Sequence, residues 1–370
     1  MHNHGKRQGN MKTSQPKKIF VEKDVVGMPV ARQILDKLPD IPLQYIDNYR
    51  DIRVEGDTPN DVYKKSKEFL TIAKKKGELV KQFRCRDGIR GSTEYYIIHG
   101  NNCSFDCEYC FLQSYLDNAV PTLFVNHEEM LREIRDVILA SAGKKIVFHA
   151  GELCDALAFD DLTDLSCKLV SLFSEFSQVS LELRTKTTTI QNLLNASGYG
   201  LSSRGKEQGK NIVVSWTFTP QDAIDRYEHK TPSLEERIEA AGKVQKAGYS
   251  IGVCMDPVIR FNGWLENYET MITKLFHRLD HDKIRFVSLG GLRFLPSLAN
   301  VIRARNPETD LLTGEFVPCV DGKYRYFRPL RVEVYRELWK IIEQKLDSGK
   351  ISLCMESHEV WNEVGKVISR

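Results

Sequence analysis

The chain has 370 residues, 41% of them apolar and 28% charged, an ordinary globular composition that excludes wholesale disorder. A net charge of only +3 gives no overall field toward nucleic acid, so any such site has to be a local patch. No apolar run reaches about 18 residues, which argues against a membrane span, and the basic, polar start has no apolar signal core.

Residues 1–18 read as a disordered tail. From 19 to 92, short apolar runs and the periodic segment DVYKKSKEFLTIAKKKG predict a small N-terminal α/β unit. From 93 to 304, six strand-length apolar runs recur: EYYIIH (94–99), KKIVFH (144–149), VSLELR (179–184), NIVVSW (211–216), SIGVCM (250–255) and KIRFVSL (283–289). The four segments between them that begin at Asn126, Phe159, Ser233 and Trp264 carry apolar residues at helical spacing. Ser233 and Glu236 form a capping box, and Gly248 ends that helix. Strand–helix alternation implies a parallel sheet with right-handed crossovers. Six units are too few for a closed (β/α)8 barrel, so the expected fold is α/β, a partial (β/α)6 barrel. Residues 196–211, rich in Gly, Ser and Lys, read as a mobile loop. A C-terminal extension, 305–370, should hold a helix near 332–347 and a short strand KISLCM.

Nine cysteines without an export signal suit a reducing, cytoplasmic setting rather than a disulfide framework. Cys85, Cys167, Cys254, Cys319 and Cys354 read as small buried hydrophobes. The segment HGNNCSFDCEYCFLQSYLDN (99–118) differs: Cys103, Cys107 and Cys110 are spaced C-x3-C-x2-C. Clustered thiolates select zinc or iron–sulfur centres. A closed zinc site needs four ligands, and only His99 is at hand, so a zinc-stabilised nucleic-acid-binding protein is one alternative. The other reading is a [4Fe–4S] cluster with one iron left open.

A C-x3-C-x2-C motif after the first sheet strand, with an aromatic residue (Tyr109) before the last cysteine, resembles the radical S-adenosylmethionine (SAM) enzymes. The resemblance implies that the open iron binds SAM, whose reductive cleavage yields a 5′-deoxyadenosyl radical. Ligands of parallel α/β folds sit at the C-terminal ends of strands. There, Gly151 and Glu152 resemble the segment that meets the SAM amino group. Arg184 and Lys186 are placed for its carboxylate, and Ser215 for its ribose or methionine part.

Three segments narrow the resemblance to the spore photoproduct lyases: CEYCFLQSYL, YEHKTPSLEERIEAAGKVQKAGY and DPVIRFNGWLENY. That family implies repair of a thymine–thymine adduct in UV-damaged DNA, with the lesion flipped out of the stack. Cys154 occupies the place of its hydrogen-donating cysteine, and a flavodoxin- or ferredoxin-type protein would supply electrons. Phe111 stands where the family has a relay tyrosine, which leaves Tyr109 and Tyr115 as nearby candidates. In the tail, Lys323, Arg325, Arg328 and Arg331 interleave with Tyr324, Tyr326 and Phe327. Cations for phosphate and rings for stacking suit a nucleic-acid surface; Arg293 is a further candidate phosphate contact. An alternative keeps the cluster and Cys154 but changes the substrate to another nucleic acid or a small molecule.

Overall fold

The computed structural model describes residues 15–83, 93–141, 143–196 and 211–365. The expectations for residues 1–14, for Cys85 and for most of the loop 196–211 lie outside the described residues. Strands β1 (Lys18–Glu22), β2 (Leu43–Ile46) and β3 (Phe69–Ala73) form a parallel N-terminal sheet with β1 at its centre. Ile19, Val21 and Ile72 pack there against Ala31 and Ile34 of the helix Pro29–Lys37.

The second sheet starts with β4 (Val80–Gln82), antiparallel to β5 (Thr93–Ile97). The chain then leaves it. Strands β6 (Gly100–Asn101) and β8 (Thr122–Phe124) pair antiparallel and join the edge of the N-terminal sheet, β8 beside β3. Between them runs the cysteine segment, including β7 (Asp106–Cys107). The chain returns to the large sheet as β9 (Ile146–Ala150), β10 (Val179–Thr185) and β11 (Ile212–Thr217). A short β12 (Glu228–His229) pairs with β7, and β13 (Ser250–Val258) and β14 (Ile284–Gly291) extend the large sheet. Strand β15 (Arg293–Phe294) forms a three-stranded antiparallel sheet with β16 (Phe316–Pro318) and β17 (Tyr324–Tyr326), and β18 (Ile351–Leu353) lies at the edge beside β14.

All six expected strands are present and pair in parallel in sequence order, β5-β9-β10-β11-β13-β14. The architecture is mixed α/β, and among the described residues the strand order does not close on itself. Side chains alternate between sheet faces, and here the faces differ sharply. Phe148, Leu181, Leu183, Val214, Trp216, Val253, Met255, Val287 and Leu289 belong to the apolar core shared with the helices. The alternate positions are His149, Glu182, Arg184, Ser215, Cys254, Asp256 and Ser288. A parallel sheet covered by helices on both faces would be apolar at both sets of positions.

The capping box forms as expected: Ser233 Oγ accepts from the Glu236 amide at 3.3 Å, and a Glu236 carboxylate oxygen accepts from the Ser233 amide at 2.8 Å. The helix expected over 159–176 instead breaks into Asp160–Thr163 and Leu165–Ser174, because Asp164 sits at φ 50°. Its carboxylate accepts from Lys37 (3.0 Å), Gln33 (2.9 Å) and Asn192 (3.1 Å), partners remote in sequence. The helix expected near 332–347 is Arg328–Glu343, with Pro329 in its first turn, where the ring is suited. Among the described residues no helix is long and apolar enough to cross a membrane.

Candidate active site

The cysteine loop is a closed excursion from the N-terminal sheet. The β6–β8 ladder ties its ends, and Asn102, held at φ 61°, donates to the carbonyls of Asn118 (2.8 Å) and Val120 (3.2 Å). Its middle is clamped where Cys107 pairs with Glu228 and Asp106 with His229. Two further anchors come from opposite ends of the chain. Lys67 donates to the Cys103 carbonyl at 2.8 Å, and Arg305 reaches Asp106 at 2.7 Å and Gln113 at 2.5 Å.

Cys103, Cys107 and Cys110 are free thiols gathered in one apolar cluster with Phe105, Tyr109, Ala158 and Phe159. Burial pushes the Cys103 thiol up to about 12 and Cys107 well up, with the neighbouring thiols adding to both shifts. Among the described residues no three or more His, Cys, Asp or Glu side chains are drawn together at single-ion geometry. A cubane cluster takes its thiolates on different irons, so its ligands need not converge on one point. Three soft donors in one largely apolar loop fit that group.

The turn after β9 faces this loop. Gly151 has φ 110°, and a Cβ there would lie 2.5 Å from the Arg184 carbonyl oxygen, so only glycine fits. Asp155 accepts from the amides of Leu157 and Ala158 (both 2.9 Å) and Lys186 (2.8 Å), and from the Thr185 hydroxyl (2.7 Å). The turn is thereby fastened to the end of β10. It delivers Cys154, buried, with Sγ 3.4 Å from His99 Nε2. A Cβ on Gly100 would lie 3.3 Å from that sulfur. Burial pushes the Cys154 thiol well up, and Cys103 is the largest charge acting on it. Burial also holds His99 down at about 4. His99 is neutral at neutral pH, so it does not draw the thiol toward thiolate.

Of the SAM candidates, Glu152, Arg184 and Ser215 form one network centred on Glu182. Glu182 accepts from Ser215 at 2.5 Å, from His149 at 2.6 Å and from Arg184 at 3.1 Å. Arg184 also meets Glu152 at 3.5 Å. Burial would raise Glu182, but Arg184, His149 and Ser215 outweigh it and hold the carboxylate low. His149 is raised to about 8, because Glu182 and Glu94 overcome the effect of burial. Lys186 stands 5.6 Å over the Tyr109 ring. Burial opposes its charge, but Glu228 and Cys107 outweigh that and raise its pKa. Tyr109 donates its hydroxyl to Glu228, which also receives Thr219 (2.8 Å) and the fully buried Arg237 (2.5 Å). Tyr115 is exposed, edge-on to the exposed Phe111 ring at 5.8 Å.

The tail candidates behave differently. Arg293 is held by Asp256 at 2.8 and 3.0 Å and donates to Cys354 at 3.6 Å. Arg325 is buried and held by Asp321 at 2.7 and 2.8 Å. Arg331 meets Cys319 at 3.5 Å and Glu356 at 3.5 Å, Arg328 pairs with Glu363, and Lys323 lies 4.0 Å from Asp321. Tyr326 stacks on Phe316 at 4.5 Å and Tyr324 on Phe294 at 6.0 Å. Tyr324, Arg325 and Tyr326 are thus engaged within the β15–β16–β17 sheet, whereas Phe327 and Arg328 are exposed. Cys319 and Cys354 each receive a guanidinium rather than sitting in purely apolar surroundings.

The sequence marks His99 only as a possible zinc ligand, not as the neighbour of Cys154, and it singles out none of His149, Asp155, Glu182, Glu228, Lys67 and Arg305. The alternation of β9 and β10 signals His149 and Glu182 as off-core positions, but nothing local marks Lys67 or Arg305, which meet the loop only through the fold.

The spore photoproduct lyase family model matches residues 14–351. The spore photoproduct lyase of Bacillus subtilis is 26% identical over 307 residues, 81% of this chain and 85% of that protein. That of Geobacillus sp. is 24% identical over the same length and shares. A solved spore photoproduct lyase complexed with dinucleoside spore photoproduct superposes with a TM-score of 0.79 at 22% identity, covering 91% of this chain and 98% of that one. A variant solved with AdoMet and the same dinucleoside also gives 0.79. These structures share the fold. The family match runs from the first strand into the last, and on that ground this chain is an enzyme of the spore photoproduct lyase family.

Proposed function

We propose that this enzyme repairs spore photoproduct in UV-damaged DNA by radical SAM chemistry, with Cys154 as hydrogen donor. The observation that carries the reading is the placement of Cys154. The turn after β9 buries its sulfur against Gly100, at the root of the loop that bears Cys103, Cys107 and Cys110.

In this reading the large sheet is the partial (β/α)6 barrel, residues 93–304 form the catalytic unit, and the polar sheet face is its ligand side. Cys103, Cys107 and Cys110 would hold a [4Fe–4S] cluster. When bound, cluster and SAM together supply the 5′-deoxyadenosyl radical. The chain's own residues do the rest. Arg184 lies between Glu152 and Glu182, pre-oriented toward a carboxylate, and Lys186 adds a second cation beside the loop. The buried thiol of Cys154 stays S–H, the form that can hand a hydrogen atom to a carbon radical. Tyr109 has its hydroxyl committed to Glu228, so a tyrosine relay at this site would run through Tyr115. The reading places the enzyme in the cytoplasm, where thiols stay reduced, served by a flavodoxin- or ferredoxin-type donor. Residues 305–370 form the substrate-side extension.

The test is anaerobic incubation of reduced, reconstituted enzyme with SAM and dinucleoside spore photoproduct. Restored thymidylyl-thymidine is the expected product. 5′-Deoxyadenosine without repair sinks the substrate assignment and favours a relative acting on another lesion. Cys154→Ala should still cleave SAM while diverting the lesion radical to other products. Normal repair by that variant overturns the donor role.

A further inference from the structure

Lys67 is a buried cation that the reading above does not use. It follows the helix Pro59–Ser66 of the N-terminal unit, and the residue is 8% exposed. Its ammonium donates to the Cys103 carbonyl at 2.8 Å and lies 4.7 Å over the Tyr63 ring. An ammonium in such a place needs a counter-charge. The other charges around the loop are already matched. Arg305 is held by Asp106, His229 by Glu108, and Arg237 by Glu228, with Lys186 beside that last pair. Among the described residues no carboxylate pairs with Lys67. The ammonium faces the loop that bears the three thiols, so an anionic cluster held there would be its counter-charge.

We propose that Lys67 sets the electrochemistry of the cysteine loop: its charge raises the reduction potential of the cluster bound there. The inference rests on the reading of Cys103, Cys107 and Cys110 as cluster ligands. Reduction adds one electron to an anionic group, and a fixed cation nearby favours the product of that step. The attraction is strong because the site is desolvated, and net charge and hydrogen bonding are the protein's means of adjusting cluster potentials. The N-terminal unit thereby acts on the cluster while contributing none of its ligands.

The test is an EPR-monitored redox titration of the reconstituted full chain without SAM. Lys67→Gln keeps an amide donor for the Cys103 carbonyl but removes the charge; Lys67→Arg keeps the charge. The expected result is a midpoint shifted to more negative potential in Lys67→Gln and close to wild type in Lys67→Arg, with iron content unchanged in both. An unmoved midpoint in Lys67→Gln overturns the proposal while leaving the cluster standing. An equal shift in both variants, or loss of iron from Lys67→Gln, assigns Lys67 to packing and also overturns it. A wild type that takes up no four-iron cluster sinks the cluster reading itself, an outcome distinct from the others.

Discussion

The cysteine loop and the basic tail both stand out in the sequence, yet the fold treats them oppositely. The loop's three thiols are brought into one cluster and left without disulfide partners. The tail's arginines are instead paired: Arg325 with Asp321, Arg328 with Glu363, and Arg331 with Glu356 and Cys319. Spacing explains the difference. Three residues within eight positions stay together however the rest of the chain folds. A cation's availability depends on which carboxylates the tertiary structure brings to it, and those lie up to 35 residues away, as with Arg328 and Glu363.

The largest effect should come from Arg237→Met. Arg237 and Glu228 are both fully buried, and removing one partner of such a pair costs about 3–5 kcal/mol. A change below about 1 kcal/mol in urea unfolding would show that the clamp on Cys107 does not depend on this pair. Gly151→Ala comes next. A side chain at φ 110° facing the Arg184 carbonyl at 2.5 Å should destabilise by about 2 kcal/mol and move Cys154. Its thiol would then alkylate faster than in wild type.

A pH test follows from His149, whose pKa rises from 6.5 to about 8 on folding. The folded state binds the proton more tightly, so the stabilisation is complete below pH 6.5 and lost as pH rises through 8. Wild type should exceed His149→Gln in stability at pH 6 by on the order of 1–2 kcal/mol, and the gap should close by pH 9. A gap that widens with pH would mean that His149 is neutral in the fold. The smallest effect belongs to Arg328→Ala. The Arg328–Glu363 pair is 46% and 41% exposed, and such pairs contribute less than about 1 kcal/mol. Because that guanidinium is already paired, duplex affinity and its salt dependence should barely change. A clear drop in the salt slope would restore Arg328 as a phosphate contact.

Much of the large sheet was legible because its physics is local. Strand runs such as VSLELR and the Ser233–Glu236 box carry their own period and cap, and both formed. The break at Asp164 was not legible, since Lys37, Gln33 and Asn192 create it from elsewhere in the chain. The β6–β8 excursion was also hidden. Two short strands flanking the cysteines carry little periodicity, and they are strands only because β3 offers an edge to β8, and β8 to β6.

By itself, the sequence determined the alternation of strands and helices, the three-thiol donor set, and the glycine before Cys154. Each depends on residue type at short range, where covalent spacing leaves few choices. The tertiary structure alone decided which charges remain available. It joined Glu182 to His149, Arg184 and Ser215, and set Arg305 and Lys67 against the cysteine loop from opposite ends of the chain. It also paired the tail's arginines with acids. Electrostatic partnership is a property of distance through space and of desolvation, and neither is written in the order of residues.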